Sequence, residues 1–195
     1  MIKYGLIIAA CGLCLACNQP VNKSAGTVRQ DQAAATPVVR SVSPDSLISP
    51  GKGIGNIRLG DDANKLINIM GKPDRSDAAM GASLMVWFAG HDVAGYEISV
   101  YAHRNMGAKD EHISHIKQIR VTSSNFKTAA GIGVGASLDS IQKHFMPVKR
   151  KVPGAAVYDD AKAGVSFEMD TANKCSAVIV HAAGDSSATY INMRE

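Results

Sequence analysis

Apolar and polar positions change rhythm along the chain, and the changes predict its elements. Ala63, Leu66, Ile67 and Met70 fall at i, i+3, i+4 and i+7, the stripe of an amphipathic helix. Asp61 can cap its start, Gly71 can end it, and Pro73 blocks continuation. Leu138, Ile141 and Phe145 repeat the stripe, with Ser137 as cap and Pro147 beyond. Tyr96, Ile98 and Val100 alternate with Glu97, Ser99 and Tyr101. Val165, Phe167 and Met169 alternate with Ser166, Glu168 and Asp170. Period 2 with one polar side predicts half-buried antiparallel strands. Further strands are predicted over 84–88, 116–121, 156–159 and 175–180. Gly60 and Gly135, Leu66 and Ile141, and Met70 and Phe145 are each 75 positions apart. The predicted fold is therefore α+β: two diverged helix-plus-three-strand repeats, about 53–122 and 131–182, forming one antiparallel sheet with helices on one face.

The domain is expected to occupy residues 50–195. Residues 18–49 contain Pro20, Pro37 and Pro44 and many Ser, Thr, Gln and Ala, with no aromatic and no sustained period. They read as a tether reaching roughly 30 Å. Before it, Lys3 precedes an uncharged stretch of 13 residues, Tyr4 to Ala16, and polar residues follow Cys17 at once. That stretch has the length of a signal core and falls short of the ~20 residues of a spanning helix.

The leader resembles the signal of bacterial lipoproteins, whose lipobox is Leu-(Ala/Ser)-(Gly/Ala)-Cys. Ala16-Cys17 carries the likeness, while Cys14 and Leu15 depart from it. The resemblance implies residues 1–16 as signal peptide, diacylglycerol on the Cys17 thiol, and acylation of the new amino group. Ile8-Ala9-Ala10-Cys11 fits the residue pattern better but leaves a very short apolar core, so Cys17 is favoured. A plain secretory leader is the simpler alternative. The expected location is a bacterial membrane reached by export, with the outer membrane facing the periplasm preferred.

Ile57-Arg58-Leu59-Gly60, the helix with Leu66 and Ile67, and Gly71-Lys72-Pro73 resemble the β-lactamase-inhibitor-protein-like fold. They are also similar to small outer-membrane assembly lipoproteins of the SmpA/OmlA type. Gly133-Val134-Gly135-Ala136-Ser137-Leu138 is a weak second copy, with Met146-Pro147 where Gly-x-Pro stands in the first. The resemblance implies a module that binds proteins through sheet and loops.

Composition narrows the chemistry. The net charge of +4 falls to +3 once Lys3 leaves with a leader, and Lys149-Arg150-Lys151 is the longest basic run. No nucleic-acid partner is expected from so mild an excess. Cys175, alone beyond the leader, reads as a small buried hydrophobe. The glycine clusters at 51–55 and 131–135 lack the spacing of phosphate loops. His112 and His115 sit with Asp110 and Glu111 in a loop entering a strand, which reads as exposed histidines more readily than as a zinc site. No Gly-x-Ser-x-Gly elbow exists. Asp159-Asp160 reads as a turn. No catalytic residue, metal or cofactor is expected.

The favoured function is that of a protein-binding or envelope-assembly lipoprotein. A small-ligand-binding lipoprotein is the alternative, and an envelope hydrolase a more distant one. If Tyr96, Ile98 and Val100 face the helices, alternation sends Glu97, Ser99 and Tyr101 outward, with Ser166 and Glu168 beside them. That row, with Trp87 as a possible anchor, is the candidate protein-binding face.

Overall fold

The structure is a computed structural model, and it describes residues 42–152 and 154–185. The proposed signal, Cys17 and most of the proposed tether lie outside the described residues. The described part belongs to one compact unit.

The architecture corrects the α+β expectation. Among the described residues twelve strands carry the fold, with two α-helices, both short. Strands β1 (Leu47–Ser49), β2 (Gly53–Ile54), β3 (Ile57–Arg58) and β8 (Lys127–Thr128) form a small sheet in the order β3-β2-β1-β8. The larger sheet holds β4 (Arg75–Ala79), β5 (Ala82–Phe88), β6 (Glu97–Arg104), β7 (Ser114–Val121), β9 (Val148–Val152), β10 (Ala155–Asp160), β11 (Val165–Met169) and β12 (Cys175–His181). Its order is β4-β5-β6-β7-β12-β11-β10-β9, with every neighbouring pair antiparallel. Each half of the chain thus runs from one edge toward the centre, where β7 and β12 meet.

The helices are minor because their apolar stripes are short. Helix α1 (Asn64–Met70) has seven residues and buries Leu66 alone. Of the predicted stripe, Ala63 and Leu66 are buried, whereas Ile67 is 40% exposed. Gly71, at φ 80°, turns the chain out of the helix and donates its N–H to the Ile67 carbonyl, a conformation glycine adopts without a Cβ penalty. Asp61 does not cap the helix: the N-cap is Ala63, which offers no side-chain bond, and Asp62 Oδ1 accepts from the Asn64 N–H beside it. Helix α2 (Leu138–Gln142) has five residues, is capped by Ser137 accepting from the Ser140 N–H, and buries Ile141. Segments this short have no stability of their own and are held by packing.

The core lies on one face of the large sheet. Met85, Trp87, Val100, Ile119, Val121, Val165, Phe167, Val178 and Val180 meet Leu66 and Ile141 from the helices and Ile48, Ile54 and Ile57 from the small sheet. The expectation had helices alone covering this face. The small sheet shares the task, and Ile48 is 1% exposed. The folded domain therefore includes β1, and the expected tether boundary at residue 49 falls inside it. Tyr96, expected inside, precedes β6 and is 45% exposed. Cys175 is buried, and burial pushes its thiol up to about 12, so it is no nucleophile at neutral pH.

One loop is pinned by a histidine. His115 Nδ1 lies 3.0 Å from the Gly60 carbonyl, and Nε2 lies 2.8 Å from Asp110 Oδ2. Both acceptors favour the doubly protonated ring. The Gly60 carbonyl first, then the Asp110 carboxylate, raise the His115 pKa. The His115 bond, with one from Asn105, lowers that of Asp110. A raised folded-state pKa means this contribution is complete below the ordinary histidine value and fades as pH rises through the folded one. An NMR titration should show His115 titrating above the usual range and returning toward it in Asp110→Asn. A His115 curve unchanged by Asp110→Asn would remove the carboxylate from the account.

Candidate functional site

Alternation along the strands gives the large sheet a second face, opposite the core. Val86, Ser99, Arg120, Ile179, Ser166 and Asp159 stand side by side in one row across β5, β6, β7, β12, β11 and β10. Two residues further along their strands, Glu97 and Glu168 lie on the same face. Sequence parity placed Glu97, Ser99, Tyr101, Ser166 and Glu168 together, and they do share this face. Their solvation differs from the expectation. Ser99 and Ser166 are fully buried, Glu168 is buried, and Glu97 and Tyr101 are half-buried. Trp87 is on the core face, with its Nε1–H donated to the Gly71 carbonyl at 3.0 Å. It is a packing residue and offers no exposed anchor.

The face is closed by pairing. Arg120 donates to both Glu168 oxygens, Nε to Oε1 at 3.2 Å and one Nη to Oε2 at 3.0 Å. Its other Nη donates to Glu97 Oε1. Ser99 Oγ adds a bond to the same Glu97 oxygen at 2.7 Å. A planar guanidinium can serve two carboxylates at once, and a lysine cannot do so in this fork geometry. Around these groups Val86, Val157, Ala177 and Ile179 are buried without belonging to the main core.

A second cluster lies toward β10. Asp159 Oδ1 accepts from Ser166 Oγ at 3.0 Å and lies 3.1 Å from His181 Nε2. Asp159 Oδ2 accepts from Arg150 Nε and Nη at 3.1 and 3.0 Å. Burial works to raise the Asp159 pKa, but bonds from His181, Arg150 and Ser166 outweigh it and hold the carboxyl below its usual value. Asp159 sits within its strand rather than in the expected turn; Asp160 caps the turn instead, accepting from the Met146 and Ala163 N–H groups.

Ser166, His181 and Asp159 have the residue types of a hydrolase relay but not its geometry. In a relay the carboxylate holds one ring nitrogen and the serine bonds the other. Here serine and carboxylate share Nε2, at 3.3 and 3.1 Å, and Nδ1 faces the Ala182 carbonyl at 3.0 Å. The Ser166 hydroxyl gives its proton to Asp159, and both Ser166 and His181 are fully buried. This trio is a structural knot.

What is accessible lies at the margin. Across β5 and β6, Leu84 stands opposite Tyr101 and Phe88 opposite Glu97, all four half-buried. Arg75 covers the Phe88 ring at 5.1 Å. A shallow groove of about 560 Å³ opens beside Arg120 and Glu168, lined also by Ala155, Asp170, Thr171 and Ser176. Sequence reasoning gave Arg120 and His181 no role and read Asp159 as part of a turn. A signal existed for Arg120: it alternates with Ile119 and Val121, which puts it on the polar side. Among the described residues no three or more His, Cys, Asp or Glu side chains are grouped to hold a metal ion. No described helix is long and apolar enough to cross a membrane.

No family model matches the chain, and no curated protein is significantly similar to it. Two solved structures share a loose likeness. One is an extracellular protein containing a SCP domain from Bacillus anthracis str. Ames, 12% identical, with 84% of this chain and 52% of that chain aligned at a TM-score of 0.42. The chain thus spans about half the length of that protein. The other is a DUF4309 family protein (YjgB) from Bacillus subtilis subsp. subtilis str. 168, 14% identical, with 68% and 88% aligned at a TM-score of 0.43.

Proposed function

We propose that this chain is an exported lipoprotein, anchored through Cys17, whose β domain works by binding a protein in the bacterial envelope. The observation that carries the binding reading is the state of the second sheet face. The ionisable groups at its centre, Glu97, Arg120, Glu168, Asp159, Arg150 and His181, are held by hydrogen bonds within the face, which fixes their geometry. Beside them Leu84, Phe88 and Tyr101 stay half-exposed next to Glu97. A fixed surface mixing aromatic, aliphatic and charged groups suits protein recognition, where aromatic anchors carry much of the energy. The leader, with its apolar stretch ending at Cys17, supports export and acylation.

The test joins anchor and face. Radiolabelled palmitate should enter the wild-type chain and the Cys11→Ser variant, and Cys17→Ser should lose the label and leave the membrane fraction. Tyr101→Ala should weaken capture of the crosslinked envelope partner about thirtyfold, the cost of truncating an anchor worth roughly 2 kcal/mol. Its melting temperature should change little, because Tyr101 is outside the core cluster. Label lost only in Cys11→Ser overturns the anchor assignment, and full capture by Tyr101→Ala removes this face from the reading.

A further inference from the structure

The large sheet is open, so it ends in two edge strands, and the two differ sharply. Strand β9 carries Lys149, Arg150 and Lys151 in succession. Charged edges of this kind repel pairing with another strand. Strand β4 reads Arg75-Ser76-Asp77-Ala78-Ala79, and all five residues are exposed. It has no lysine and no proline, and three of its side chains are small. Such an edge offers unpaired N–H and C=O groups with nothing to keep a strand away.

Its geometry says which groups are free. β4 and β5 are joined by a two-residue turn, Met80-Gly81, with φ values of 50° and 81°. Positive φ at both positions marks a tight hairpin whose flanking residues, Ala79 and Ala82, form a hydrogen-bonded pair. Bonded and non-bonded pairs then alternate along the ladder. Ala79, Asp77 and Arg75 therefore turn their backbone groups toward β5, and Ser76 and Ala78 turn theirs outward.

We propose that β4 is the interface of a symmetric homodimer, pairing antiparallel with β4 of a second copy about a twofold axis at Ser76. The charges select both the occupant and the register. With Ser76 opposite its own copy, Arg75 stands opposite Asp77 of the second chain, and the symmetry makes this pair twice. An axis at Arg75 or at Asp77 sets like charges face to face and turns the inward-bonded groups to the axis. An axis at Ala78 leaves Arg75 and Asp77 without each other. An odd offset is excluded because it would oppose residues that point to different faces. Only the Ser76 register turns outward backbone groups to the axis and matches both opposite charges; Ala78 then lies opposite Asp74, whose N–H is already donated to the Val86 carbonyl at 2.9 Å. Arg75 and Asp77 share the face that carries Leu84 and Phe88, so pairing would join the two copies' second faces into one surface.

Sedimentation velocity on the full chain tests it. The wild type should be a dimer. Ser76→Pro deletes an outward N–H and leaves the β4–β5 ladder intact, so it should dissociate the dimer without lowering the melting temperature measured at concentrations dilute enough for the wild type to be monomeric. Arg75→Asp sets aspartates opposite each other and should weaken the dimer about tenfold or more, a shift of about 1.4 kcal/mol. Adding Asp77→Arg to it restores the pairs in reverse and should restore the dimer. A wild type that stays monomeric up to about 1 mM, the weak limit of specific association, overturns the proposal. So does a dimer indifferent to Arg75→Asp, or one that the reversed pair fails to rescue. Should Ser76→Pro melt early, the charge reversal still decides.

Discussion

Arg120→Met should destabilise the domain by about 3–5 kcal/mol, the usual cost of stripping the partner from buried charges. The Arg120 side chain is 9% exposed and its guanidinium bonds the side chains of Glu168, 7% exposed, and Glu97, 16% exposed. Its removal leaves two carboxylates facing each other on a sheet face where Val86, Val157 and Ile179 limit water. Methionine replaces the aliphatic stem, so the loss reads the charge and its hydrogen bonds rather than a large cavity. In urea the unfolding midpoint should fall by at least ~1 M, given slopes of roughly 1–3 kcal/mol per molar. Adding Glu97→Gln and Glu168→Gln should recover part of the loss, because neutral amides cost less to bury than carboxylates. A loss under about 1 kcal/mol, the level of an exposed ion pair, would mean that solvent reaches this face freely. Charge reversal at Glu97 and Glu168 would meet the same geometry. Placing lysines there would set three cations together on a buried row, so the result would speak of folding and not of partner choice. Tyr101 is the better probe of recognition.

The sequence was readable where periodicity is long and where one side chain decides a turn. Val165 to Met169 shows clean alternation, and β11 has those bounds. Gly71 and Ser137 end and begin their helices as their chemistry requires. The two helical stripes misled about fold class because they are real but short, and the cover over the core comes equally from β1, β2 and β3. Strands of two or three residues carry no period to detect. Edge strands β4 and β9 escaped for another reason: Arg75 to Ala79 holds no apolar residue larger than alanine, and in β9 the two valines, Val148 and Val152, are separated by three successive cations, so neither shows an alternating period. For the candidate face, alternation told which residues stand together and could not tell whether they are wet. That depends on partners distant in sequence. Glu97 and Glu168 look like solvated carboxylates until Arg120 is placed between them, and Ser166 looks like a surface hydroxyl until Asp159 and His181 meet it.

A chain begun at Pro50 should be far less stable than one begun at Val42, by roughly 3–5 kcal/mol or more, although composition places this segment in a tether. Composition misleads because only one residue there does the packing. Ile48 is 1% exposed and lies in the main core cluster. Its neighbours Leu47 and Ser49 complete β1, which pairs antiparallel with β2 and parallel with β8. Without β1 the small sheet loses its link between these strands, and Ile54 loses the residue it stands opposite. Ile48→Ala isolates the side-chain part of this loss and should cost about 2–5 kcal/mol, depending on how far the site can collapse. Truncation should cost more, because the ladder partners of β2 and β8 go as well. Melting both chains beside the point variant separates the two contributions. Equal melting temperatures for the chains begun at Val42 and Pro50 would mean that β1 adds nothing, and that the small sheet and the cover it lends to Phe167 and Val180 hold together without it.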